Sequence, residues 1–183
     1  MESSLLTAIL VALSTLLGVA LTNRAQLQRD RNNQQFQLTL EAAKHERETA
    51  VREKAEAMQR LMEAHVKLSR IDREFSLTSV NILWRAEMTD TEYDQRYLLA
   101  CAEMDALRAF AQLHEPTMSD PVEQLQLPMG MYWLNLNQLL YQVRAGRKVD
   151  HHSSCLREAR DAAEEIGVKV ASAKRQLTKL MTR

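Results

Sequence analysis

Residues 57–82, AMQRLMEAHVKLSRIDREFSLTSVNI, decide the fold class. Ala57, Leu61, Ala64, Leu68, Ile71, Phe75, Thr78 and Ile82 recur at alternating steps of four and three. That spacing puts all eight on one seam of an α-helix, the pattern of a helix that buries one side against other helices. Strand-type alternation is missing here and elsewhere. The chain is rich in Ala, Leu, Glu, Gln, Arg and Met, all good helix formers, and poor in aromatics, with 4 Gly and 3 Pro in 183 residues. These features predict an all-α protein.

Upstream, the seam weakens. Phe36, Leu40 and Ala43 continue its register, but Arg47 and Lys54 interrupt it. Residues 26–37 are almost wholly polar, a stretch that cannot bury much and reads as a solvated helical neck. Acid precedes base one turn apart at Glu48 and Arg52, Glu56 and Arg60, and Glu63 and Lys67. Each such pair adds about 0.3 kcal/mol to a helix. The long helix is expected to run to about residue 85, beginning as a stalk and ending inside a bundle.

Further upstream still, residues 5–21 contain no charged side chain, and Arg24, Arg29 and Arg31 follow at once. This is the short end of what spans a hydrocarbon core of about 30 Å, and Ser3, Ser4 and Thr22 can extend it. A cleaved signal peptide would have a basic start, whereas Met1-Glu2-Ser3-Ser4 carries no base, although Gly18-Val19-Ala20 passes as a cleavage site. A buried helix of a soluble domain would show a polar stripe; only Thr7, Ser14 and Thr15 interrupt the run. The segment therefore reads as an uncleaved transmembrane anchor. Positive charge stays cytoplasmic, so Arg24, Arg29 and Arg31 place the N-terminus outside and the rest of the chain inside, at the inner (plasma) membrane. Small residues at Ser4, Ala8 and Ala12, and at Ser14, Gly18 and Thr22, form two rows, without a strict Gly-x-x-x-Gly.

Downstream, Thr89 or Asp90 starts a second helix, with Glu92 and Asp94 suited to its first turn. Tyr97, Cys101, Met104, Leu107 or Arg108, and Ala111 stand at core spacing. Pro116 and Pro121 bracket a loop, and Ser119 or Asp120 caps a third helix over roughly 122–145, with Pro128 a kink or a late start. Gly146 ends it. Asp150 caps a fourth, in which Ile166, Val170, Ala173, Leu177 and Leu180 form a regular seam. Short connections make this an antiparallel four-helix bundle. The expected organisation is an anchor at 1–22, a polar helical neck or coiled-coil stalk at 23–56, and a cytoplasmic bundle at 57–183.

Chemistry-bearing patterns are few. On a helix His151 and Cys155 lie one turn apart, a spacing that suits two zinc ligands. Cys101 and His114 are the soft residues left to complete such a site, and solvated histidines beside a small core cysteine are the simpler account. Glu-x-x-His, Cys-x-x-Cys, clustered glycines and Gly-x-Ser-x-Gly do not occur, so di-iron, phosphate-loop and hydrolase-elbow chemistry find no motif. No cofactor is implied. A net charge of zero argues against a nucleic-acid binder. Lys169, Lys174, Arg175, Lys179 and Arg183 suit the C-terminal end of a helix better than a lipid or nucleic-acid face. The methionines suit gap-filling in the core. Residues 90–120 carry seven acids against two bases and residues 121–183 ten bases against six acids, as opposite faces of one bundle would.

The layout looks like that of many bacterial single-pass membrane proteins, a likeness of architecture that carries over no functional residue. The expected function, read from the anchor and bundle themselves, is a non-enzymatic scaffold that recruits or oligomerises a protein partner at the bilayer. Leu61, Leu68, Ile71 and Phe75 are the interaction seam, provided the chain's own helices leave it open. A toxin-like effector, whose clustered anchors perturb the membrane, and an extracytoplasmic envelope tether are the alternatives.

Overall fold

The computed structural model describes residues 2–83, 85, 88–147, 149 and 153–182; within these the side chains at 2–17, 20, 21, 25 and 90 lie outside the description. Every regular element among the described residues is helical. In chain order they are α1 (Glu2–Glu74), α2 (Leu77–Leu83), α3 (Asp90–Leu113), a 3-10 turn (Pro116–Met118), α4 (Ser119–Glu123), α5 (Gln126–Arg144) and α6 (Ser154–Met181). The chain divides into two units, residues 1–55 and 56–183.

The first unit is a helix. Its described side chains from Gly18 to Ala55 are exposed, apart from a half-buried Thr49. Leu27, Phe36, Leu38, Leu40 and Val51 are among them. The run expected to be a membrane anchor falls largely on side chains outside the description. Among the described residues no helix is long and apolar enough to cross a membrane.

The second unit owns the hydrophobic core. The C-terminal part of α1 buries Leu61, Ala64, Leu68 and Ile71, with Phe75 directly after it, and α6 buries Ile166, Val170, Ala173 and Leu177. Both sets belong to the seams that the sequence spacing predicts, but Thr78 and Ile82 of the first are exposed and Ala57 and Leu180 are only half-buried. Buried residues of α3 (Ala100, Met104, Leu107, Ala111) and α5 (Met129, Tyr132, Leu136, Leu139, Leu140) complete one cluster with them. Polar pairs fix the directions. Glu74 and Lys67 of α1 meet Arg96 and Glu103 of α3, so α1 and α3 run counter to each other. Asp94 and Arg108 of α3 meet Trp133 and Gln126 of α5, and Cys155 of α6 meets Gln138 and Gln142 of α5.

Boundaries follow local chemistry. The first helix ends earlier than its seam suggests. Ser76 Oγ donates to the Arg73 carbonyl at 3.0 Å and accepts from the Ser79 N–H at 3.1 Å, so one hydroxyl closes α1 and opens α2. Thr89 caps α3 as expected: its Oγ1 accepts from the Glu92 N–H at 3.2 Å, while Glu92 accepts from the Thr89 N–H at 2.9 Å. That reciprocal box holds the Glu92 carboxyl below its usual range. The expected third helix is split in two, and Pro121 and Pro128 fall in the first turns of α4 and α5, where a missing N–H costs no hydrogen bond. At the end of α5 Gly146 adopts φ 70°. The Gly146 and Arg147 N–H groups then donate to the Val143 and Gln142 carbonyls at 3.0 Å each, a double closure that needs the left-handed conformation. Ser153 stands at the start of α6; Asp150, the expected cap, lies outside the described residues.

Candidate interaction surface

The four residues expected to form an interaction seam are core residues. Leu61, Leu68, Ile71 and Phe75 are 6%, 0%, 1% and 2% exposed, covered by the chain's own helices. Phe75 meets Tyr132 edge-on at 5.0 Å between ring centroids and Tyr97 at 6.4 Å. The condition attached to that seam therefore fails, and the surface open to a partner lies elsewhere. Arg24, Arg29 and Arg31 are exposed on α1.

Cys155 is buried on α6 with a free thiol. Its Sγ donates to Gln138 Oε1 at 3.4 Å and accepts from Gln142 Nε2 at 4.0 Å. Two neutral amides are poor surroundings for a thiolate metal ligand. His151 lies outside the described residues, and among those described no three His, Cys, Asp or Glu side chains gather.

Some charged residues of α3 and of α6 pair with α1. Glu103 accepts from Lys67 at 2.7 Å and Arg70 at 2.6 Å, which holds its carboxyl below the ordinary value of 4.5. Arg96 grips Glu74 through two bonds of 2.9 Å, the paired geometry guanidinium favours. Lys174 meets Asp72 at 3.0 Å. Near the Glu74–Arg96 pair, Tyr93 and Tyr132 bury hydroxyls that meet no hydrogen-bond partner within range among the described residues. Burial pushes both phenols up and the neighbouring Glu74 carboxylate adds to it, while the nearby Ser79 side chain draws Tyr132 partly back.

One face of α5 remains open. Leu127, Met131, Leu134 and Tyr141 are 75%, 42%, 45% and 64% exposed. With exposed Gln138 they follow steps of four, three, four and three, a second seam on the side away from the core. Two hollows flank it and meet at Leu134. One, of about 690 Å³, is lined by Tyr97, Glu123, Leu127, Gly130 and Trp133 among others. The other, of about 540 Å³, is lined by Asp94, Gln138, Tyr141 and Arg147 among others. Tyr97 stacks on Trp133 with centroids 5.2 Å apart and planes 28° from parallel. Burial, with the Cys101 thiol close by, pushes the Tyr97 phenol up to about 12. Trp133 Nε1 donates to Asp94 Oδ1 at 3.2 Å, which fixes this wall of the groove. A Cβ added at Gly130, as at Gly167, would meet nothing within 4 Å.

Sequence alone did not single out this face, because α5 is apolar around most of its circumference and periodicity could not say which side is buried. Comparison with protein-family models, with curated proteins and with solved structures finds no match.

Proposed function

We propose that this chain is a single-pass, membrane-anchored helical interaction protein without catalytic activity. Residues 1–22 are the anchor, residues 23–56 the neck, and residues 57–183 an antiparallel four-helix bundle that presents a docking face on the cytoplasmic side. The observation that carries the reading is the uncharged run 5–21 with Arg24, Arg29 and Arg31 directly behind it. Such a run needs no partner for its backbone once helical, and the arginines set its direction. The described backbone is helical without a break from Glu2 to Glu74, as an anchor continuing into a neck requires.

The bundle supports a binding role through the exposed seam of α5. An apolar stripe with an aromatic wall and few charges is the composition of a protein-docking surface. Compartment-specific reporters fused after Arg31 and after Arg183 in the full-length chain test the placement. Both are expected to report the cytoplasm. Both reporting the outside would overturn the topology and make the chain an envelope tether, and a reporter released from the membrane fraction would overturn the anchor.

A further inference from the structure

We infer that the open face of α5 binds the same face of a second copy of this chain, with the two helices antiparallel about a two-fold axis at Leu134. The inference rests on reading the chain as an interaction protein and names its first partner. An isologous contact demands that one patch complement itself, and this one does. Under a two-fold at Leu134, Leu127 stands opposite Tyr141 of the second copy, Gly130 opposite Gln138, Met131 opposite Asn137, and Leu134 opposite Leu134. The rotation exchanges the two ends of the stripe and leaves its centre in place, so apolar Leu127 and Tyr141 cover each other and Leu134 covers itself.

Charge follows the same symmetry. Glu123 lines the groove at one end and Arg147 at the other, and both are exposed. The rotation brings Glu123 of each copy to Arg147 of its mate, closing both ends with opposite charges. A parallel pairing would instead place like charges together, which disfavours it. Asp94, the remaining charge along the groove, already accepts from Trp133.

Gly130 adds a third observation. A glycine inside a helix weakens it, and the fold makes no evident use of the missing Cβ, since among the described residues nothing beyond the helix's own adjoining backbone lies within 4 Å of where it would sit. Its place is in the floor of the groove, where it lets a neighbouring helix come close. A lone helix pair buries less than the about 800 Å² per partner of a standard interface, so the dimer is expected to be weak in solution and favoured where copies are concentrated, as on a membrane.

The test uses the full-length chain in detergent micelles. In a Cys101→Ser background, Leu134→Cys is expected to oxidise readily to a disulfide-linked dimer, because the axis brings the residue to its own copy. Val168→Cys, which is 69% exposed on α6, is the control and should remain monomeric. Sedimentation should show Glu123→Arg and Arg147→Glu each weakening the dimer several-fold, and the double variant recovering it. Gly130→Ala should weaken association while leaving the monomer as stable or more so. Cross-linking at Leu134 no greater than at Val168, or a double variant no better than the singles, would overturn the second copy as occupant. A chain that is monomeric throughout would do the same and leave the groove to a different protein; the reporter topology, measured separately, would still stand or fall by itself.

Discussion

Glu103 shows how one carboxylate can tie two turns of a neighbouring helix. Its partners Lys67 and Arg70 are one turn apart on α1, and its own side chain is 21% exposed. Because those bonds hold its folded value below 4.5, the unfolded chain binds its proton more readily. The stabilisation is complete above 4.5 and is lost as pH falls through the lowered folded value. Glu103→Gln is expected to cost about 1 kcal/mol at neutral pH. Urea titrations between pH 7 and pH 3 should show the variant losing less stability on acidification than the parent. Tyr132 makes the opposite case. Its hydroxyl is buried with no hydrogen bond within range among the described residues, so Tyr132→Phe removes an unsatisfied group and keeps the ring against Phe75. The expected result is unchanged stability, or a gain of up to about 1 kcal/mol, read from the urea midpoint. A clear loss would mean that a bound water serves that hydroxyl.

At the scale of elements, the ends of the helices are set by single residues. Gly146 at φ 70° closes α5, and a Cβ in that conformation costs about 1–2 kcal/mol. Gly146→Ala should lower the thermal midpoint by a matching amount. The open space around Gly146 means that backbone strain, not a clash, is what the melting curve would read. Gly146, the Thr89 cap and the seams of α1 and α6 were all legible in the sequence, because each depends on residues within a turn or two of one another. The early end of α1 was not. Ser76 bonds locally to Arg73 and Ser79, and nothing in its neighbourhood distinguishes it from a serine riding mid-helix. The face of α5 was illegible for another reason: Leu127, Met131 and Leu134 are as apolar as Met129, Leu136 and Leu139. Only the packing of α3 and α6 decides which set goes inside. The same limit applied to residues 61–75, a seam whose regular spacing suits a partner helix in another chain as well as one in its own.

For the molecule as a whole, the contrast between the two units has a direct readout. Residues 56–183 share one core, whereas the described side chains of residues 18–55 are exposed almost throughout. A helix exposed on all sides opens locally far more often than one packed in a core. Trypsin should therefore cut first among Arg24, Arg29, Arg31, Lys44, Arg47, Arg52 and Lys54. It should leave a resistant fragment that begins beyond Lys54, seen by intact mass over a time course. Protection of those sites in the full-length chain would show instead that the neck is covered.

The indole of Trp133 is stacked on one phenol, tied to one carboxylate and half-exposed at the rim of the open groove. A ring in that position is a built-in optical gauge. Anything that settles over α5 displaces solvent from it and disturbs the Asp94 bond, so its emission reports occupancy without an added dye. Trp84 is the chain's other tryptophan, and replacing it with phenylalanine would leave a protein whose tryptophan emission comes from this one wall.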